Sequence, residues 1–235
     1  IKVHKYTQKQ SSYAARNYGV SHACGSVLLF TDIDCILTKQ YFDTISNQNL
    51  TDNSLVTGPI EIVIVEGTIY EYFDKEAYLK QSRYAERGYA ATANLIVGKA
   101  LYKRVNGFLE LTSGADNKFC KSCKKIGARL KFIDDLLVNH SPRISDKDHY
   151  LKASRLGTGH GEIFLHERPD FIQYIKVLFK QVILIILPFH SLRLFIKVSG
   201  KKKWTINDLL SLAKLSYISG IIQRISILKT IFKFN

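Results

Sequence analysis

The chain has 235 residues, 46% hydrophobic and 11% aromatic, enough for a packed core, and this excludes a disordered polypeptide. A formal net charge of +14 points to an anionic partner, whether a phosphorylated ligand, an acidic membrane surface or nucleic acid. Four cysteines, Cys24, Cys35, Cys120 and Cys123, are too few for a disulfide framework at this length and fit a reducing, cytosolic setting.

A polar, basic stretch over residues 1–10 leads into YAARNYGVSHACG. This segment predicts a short helix ending near Gly25, with Ala14, Ala15, Tyr18 and Ala23 on its apolar side. SVLLFTDID follows as a continuous apolar run, the pattern of a central strand covered on both faces. QYFDTISNQN predicts a helix that stops in the polar residues 46–54, and the alternation in GPIEIVIVEG predicts another strand. Residues 70–90, rich in tyrosine and charge, show no clear period. TANLIVGKALYKRVNGF predicts a strand edge and then a helix stopping at Gly107. ADNKFCKSCKKIG predicts a helix ended by Gly127, and ARLKFIDDLLVNH a strand followed by a loop. Strands alternating with helices predict an α/β sandwich with a mostly parallel sheet. The glycines at 157, 159 and 161 lack the context of a dinucleotide fingerprint and predict a flexible connector.

Beyond about residue 165 the composition changes. FIQYIKVLFKQVILIILPFHSLRLFIKV is strongly apolar with scattered lysines, yet its longest uncharged stretch, Gln181 to Leu192, is shorter than the roughly 20 residues of a spanning helix. Pro188 predicts a kink there. After SGKKKW, Leu209, Leu212, Leu215, Ile218, Ile222 and Ile225 recur every three or four residues. These patterns predict C-terminal amphipathic helices whose lysines meet a membrane surface carrying anionic lipid; a buried core helix over 178–192, or a partner or dimer interface, is the alternative.

The carboxylates at the end of the first apolar run carry the chemistry. Asp-x-Asp there is either a strand running into a turn, since Asp favours turns, or a cation site. If the strand continues through them, Asp32 and Asp34 project to one side at the carboxyl end of a strand, where open α/β sheets bind ligands. Two such carboxylates suit Mg²⁺ or Mn²⁺.

Further segments give this pair a context. AARNYG, VLLFTDIDC, ATANLIV, VNGF, SGADNKFC and LVNHSPR, spread in this order over residues 13–143, resemble the family-2 glycosyltransferases with the GT-A fold. The resemblance implies that Asp32 and Asp34 bind Mg²⁺ or Mn²⁺ and, through it, a nucleotide-diphosphate sugar. It implies that Arg16 and Asn17 lie near the nucleotide and that Asp116 is the general base of an inverting transfer to a hydroxyl acceptor. His140 becomes a metal or diphosphate ligand. Ala115 stands where the family carries a glutamate, which puts the acceptor loop in question. The family's opening strand and early base-binding aspartate have no counterpart, and the chain begins at Ile1 without any methionine, so a fragment is expected.

Each residue also has a plainer reading. Asp116 could be an N-cap, His140 an exposed loop histidine and Arg16 a solvated helix charge. Cys120 and Cys123 lack a second ligand pair at zinc-ribbon spacing and read as helix residues, Cys123 half-buried. The expectation is a partial GT-A domain over residues 1–165 and a membrane-associating helical region over 166–235. The protein would act at the cytoplasmic face of a membrane in surface polysaccharide or glycolipid synthesis. The alternative is a non-catalytic, membrane-associated relative. A nucleic-acid partner is not expected, because the basic excess is spread along the chain and not gathered with aromatics on one face.

Overall fold

A computed structural model describes residues 3–7 and 11–233. The chain divides into two compact units, the first formed by Ile1–Ile62, Leu79–Leu111 and Ala115–Ser141, the second by Val63–Tyr78, Thr112–Gly114 and Pro142–Asn235.

In the first unit, α1 (Ser12–His22) starts where the Ser11 side chain accepts from the Ala14 N–H, satisfying an orphan amide of the first turn. Its buried residues are Tyr13, Ala14 and Val20; of the expected apolar side only Ala14 is buried, because Arg16 and Asn17 turn toward polar partners inside the unit. β1 (Val27–Thr31) stops before the aspartates. The Cys35 N–H donates to the Asp32 carbonyl at 3.1 Å, closing a turn, and β2 (Cys35–Leu37) enters a different sheet. The strand therefore does not carry Asp32 and Asp34 onto one face by period two.

After α2 (Lys39–Ser46), capped by Thr38, come β3 (Leu55–Thr57) and β4 (Ile60–Ile62); of the strand expected over GPIEIVIVEG only Ile60–Ile62 forms, and β3 precedes it. Gly58 and Pro59 form the corner; a Cβ at Gly58 would lie 2.3 Å from the Leu136 carbonyl oxygen. Then come α4 (Gln81–Glu86), β5 (Asn94–Gly98), α5 (Lys99–Arg104), α6 (Ala115–Lys125), β6 (Lys131–Phe132) and β7 (Val138–His140). Gly107 and Gly127 both take positive φ just beyond α5 and α6, as helix-ending glycines do.

The strands form one sheet in the order β1-β5-β3-β6 and another in the order β2-β7-β4. The expected mostly parallel sheet is not found. β1–β5, β3–β5 and β2–β7 are antiparallel, and only β3–β6 and β4–β7 are parallel. An apolar run reports burial, not direction, and β5 runs against both of its neighbours. β5, not β1, is the central strand buried along its whole length, while β1 is an edge with Leu29 exposed. Alternation along β5 sends Leu95 and Val97 into a core with Leu28, Phe108 and Phe119, and Ile96 into a second core with Tyr41, Leu136 and Val138.

The second unit is helical. α3 (Ile69–Ala77) opens on a capping box between Thr68 and Glu71. It is joined by α7 (Asp146–His166), α8 (Phe171–Ile186), α9 (Phe189–Ser199) and α10 (Ile206–Lys233), around Ile69, Phe73, Leu194, Val198, Leu212 and Leu215. The glycines of GTGHG are not a connector: they lie inside α7. A Cβ at Gly157 would meet the Gln223 carbonyl oxygen at 2.3 Å, and one at Gly161 the Thr230 Cβ at 2.7 Å. Two glycines one turn apart thus let α10 come against α7. α10 turns Leu212 and Leu215 fully inward, so it is a core helix of this unit and not a wholly interfacial one.

α8 differs. Among its described residues only Gln181 is buried, and Phe171, Ile172, Ile175, Phe179, Val182 and Ile186 are exposed. Among the described residues no single helix is long and apolar enough to cross a membrane; α8 and α9 meet that test only as a pair, bent by 44° at the break. Pro188 sits in that break, as expected from its missing N–H.

Candidate active site

The turn after β1 separates its two carboxylates. Asp32 pairs with Arg16, whose Nη2 lies 2.5 Å from Asp32 Oδ1. Asp34 faces β7, where His140 Nε2 lies 3.4 Å from Asp34 Oδ2. His140 is 2% exposed, and its Nδ1 lies 2.6 Å from the Ser141 carbonyl oxygen. A carbonyl only accepts, so Nδ1 carries a proton, and Nε2 is the nitrogen turned toward Asp34. The Ser141 N–H donates to the Asp34 carbonyl at 3.0 Å, tying the turn to the end of β7.

These groups fit a divalent cation. A histidine whose other nitrogen is fixed by a backbone carbonyl is oriented as metal-ligating histidines are. Its Nε2 faces a carboxylate that stays solvent-exposed and so able to receive an ion. Among the described residues, the ligand atoms of Asp34, Cys35 and His140 lie within 4.8 Å of one another. Asp32 stands outside that group. Cys35 was assigned nothing by sequence reasoning; its signal is adjacency to the Asp-x-Asp stretch, and its relation to His140 emerges only from strand pairing. Burial pushes its thiol pKa up, against hydrogen bonds from the Asp32 backbone and the Thr31 side chain.

Arg16 also connects to the third carboxylate. It lies over the Tyr13 ring at 5.4 Å, and the Tyr13 hydroxyl hydrogen-bonds Asp116. Tyr13 and Arg16 are three apart on α1 and so share a face, a relation legible in the sequence but not drawn from it. Asp116 lies in the first turn of α6, where its Oδ1 accepts from the Asn117 N–H at 2.9 Å and its Oδ2 from the Thr92 N–H at 3.4 Å. Burial raises its pKa above the ordinary carboxylate value, and these N–H groups, Tyr13 and Arg16 offset only part of that rise.

Asn17 does a different job. Its Oδ1 accepts from the Phe108 N–H at 3.0 Å and from the Tyr102 hydroxyl, and its Nδ2 donates to the Phe108 carbonyl at 2.8 Å. It clamps the Gly107 turn, and its amide is engaged within the protein. The TAN stretch is likewise a brace. Asn94, fully buried, accepts from the Tyr41 hydroxyl and donates to the carbonyls of Pro59 and Leu136. Gln81 ties Thr57, Ala91 and Asn94 together. Every polar atom of such a buried network needs a partner, and this one holds Thr92 where its N–H reaches Asp116. Cys120 and Cys123 are both buried in α6; burial raises their thiols to about 12 and about 11, values of inert core residues. Cys123 is thus more enclosed than the half-buried position expected.

An α/β unit with a carboxylate–imidazole pair at a strand end and a second, raised-pKa carboxylate on a helix N-terminus is equipped for an anionic ligand, a cation and a proton acceptor. No family model matches the chain. It is 31% identical, over 166 residues and 68% of its length, to the glycosyltransferase AglE of Haloferax volcanii, and spans 54% of that protein. Its fold is similar to that of the mannosyltransferase PcManGT from Pyrobaculum calidifontis, solved in complex with GDP-Man and Mn²⁺. The TM-score is 0.54 at 12% identity, covering 97% of this chain and 69% of that one. The chain is glycosyltransferase-like in sequence over two thirds of its length, and in fold.

Proposed function

We propose that this protein is a metal-dependent, inverting glycosyltransferase that moves a sugar from a nucleotide-diphosphate sugar to a hydroxyl acceptor. The observation that carries this is the Asp34–His140 pair, with His140 Nδ1 held by the Ser141 carbonyl and Nε2 turned to an exposed carboxylate. The sequence likeness to a glycosyltransferase and the fold likeness to a protein bound to GDP-Man and Mn²⁺ support it.

In this reading Asp34 and His140 would hold Mg²⁺ or Mn²⁺, and the ion would supply positive charge for a leaving diphosphate. Arg16, kept in place by Asp32 and the Tyr13 ring, adds positive charge on the donor side. Asp116 takes the proton of the acceptor hydroxyl as that oxygen attacks the anomeric carbon. The Thr92 N–H and the Tyr13 hydroxyl orient its carboxylate, and its raised pKa makes it a better base than a solvated aspartate. The exposed apolar side of α8, with Lys176 and Lys180 on the same helix, would rest on the cytoplasmic surface of a membrane. A lipid-linked or surface glycan would then be the natural acceptor.

The test measures nucleotide diphosphate release from a panel of nucleotide-diphosphate sugars, with Mn²⁺ or with chelator. Release should require the ion, and Asp116→Asn should lower turnover by about 100-fold or more while donor binding changes little. Undiminished release in chelator would sink the metal role. Collapse of donor binding in Asp116→Asn, with turnover per bound donor intact, would make Asp116 a structural residue.

A further inference from the structure

The metal site has a feature that two carboxylates and a histidine would not supply. β2 pairs antiparallel with β7, and in that register Cys35 stands directly opposite His140. Directly opposed residues of an antiparallel pair project to the same face, with Cβ atoms about 5 Å apart. Sγ of Cys35, Nε2 or Nδ1 of His140 and a carboxylate oxygen of Asp34 form the group within 4.8 Å, graded from buried imidazole through half-buried thiol to exposed carboxylate. His140 Nδ1 is engaged by the Ser141 carbonyl, so Nε2, which faces Asp34, is the nitrogen left to ligate.

We propose that Cys35 is a third protein ligand of this site, which makes it a mixed thiolate–imidazole–carboxylate centre open to borderline and soft divalent cations such as Zn²⁺, Co²⁺ and Cd²⁺. The proposal rests on the reading of Asp34 and His140 as metal ligands and adds the donor that sets metal preference. An all-oxygen site suits Mg²⁺ and Mn²⁺, whereas one sulfur donor shifts affinity toward thiophilic ions. On coordination the Cys35 thiol loses its proton to solvent and its sulfur lone pair bonds to the ion, so uptake releases a proton. The other cysteines are elsewhere: Cys24 is exposed and outside the group, and Cys120 and Cys123 are buried in α6.

Co²⁺ titration of the full chain, with and without a nucleoside diphosphate, tests this by two readouts independent of turnover. Thiolate ligation gives a sulfur-to-cobalt charge-transfer band in the near ultraviolet, and calorimetry gives affinity. The band should appear with one equivalent, persist in Cys24→Ser, and vanish in Cys35→Ser. Cys35→Ser should still bind Co²⁺, but at least about ten-fold more weakly, the scale on which even outer-shell partners of a metal count. Its Mn²⁺ affinity should change less. Asp34→Ala, at an exposed position that leaves the fold undisturbed, should lower affinity for both ions. Stoichiometric Co²⁺ binding without the band, lost in Asp34→Ala, would overturn the thiol ligand and leave the Asp34–His140 site standing. A band that survives in Cys35→Ser would overturn it as well. Failure of either ion to bind under both conditions would overturn the metal reading itself.

Discussion

Two carboxylates near histidines, one in each unit, are used in opposite ways. In the first unit Asp34 is exposed and meets the Nε2 of a buried histidine at 3.4 Å. In the second, Asp74 is 0% exposed and closed by Arg143, whose Nη1 and backbone N–H donate to it at 2.8 and 3.1 Å. The nearby His149 is also fully buried, packed against the rings of Tyr70, Phe73 and Tyr78. The same residue types leave a carboxylate with open lone pairs in one unit, and form a structural bolt where a guanidinium fills them in the other.

Substitution should separate the two most sharply. Asp74→Ala leaves Arg143 without its buried partner and should cost about 3–5 kcal/mol of stability by chemical denaturation. Asp34→Ala should leave stability within about 0.5 kcal/mol while abolishing Mn²⁺-dependent transfer. If Asp34→Ala unfolds the protein, or Asp74→Ala is neutral, the contrast is wrong.

Helix packing in the second unit gives a somewhat smaller effect. Gly157→Ala places a methyl group against the backbone of α10, which cannot rotate away as a side chain can, and should cost about 1–3 kcal/mol. A substitution without effect on the melting temperature would show that α7 and α10 are not held this closely in solution.

Acid should distinguish the units further. Burial lowers the pKa of His149, which is fully enclosed in the second unit. The unfolded chain then binds more protons than the folded one below about pH 6.5, so stability is full above that value and falls as pH drops through it. Asp116 has the opposite sign: its raised pKa moves the acid limb of the turnover profile above the ordinary aspartate value of about 3.9, with activity gained as pH rises. Denaturation and turnover measured across pH 4–8 check both, and an acid limb at the ordinary value would remove Asp116 as the enclosed base.

The smallest effect on stability belongs to the surface of α8. Phe179→Asp, at an exposed position, should change stability by no more than about 0.5 kcal/mol yet reduce co-sedimentation with anionic vesicles. Unchanged sedimentation would remove the membrane reading of that face.

The sequence by itself determined the local elements whose evidence lies within one turn or one strand. Gly107 and Gly127 mark helix ends, Pro188 marks the break between α8 and α9, and Cys120 and Cys123 lie on a helix. By motif order it also nominated Arg16, Asn17, Asp32, Asp34, Asp116 and His140, of which the structure brings Asp34 and His140 together. Only the tertiary structure decided which strand is central, which direction β5 runs, that Asp32 pairs with Arg16 and not with the Asp34 group, and that Asn17 clamps a turn. It also placed the GTGHG glycines against α10 and Cys35 opposite His140. The reason is common to all of these. Propensity and periodicity act over neighbouring residues, whereas strand order, register and helix approach are set by contacts between segments far apart in the chain, and a side chain becomes a ligand only when such a contact supplies its partner.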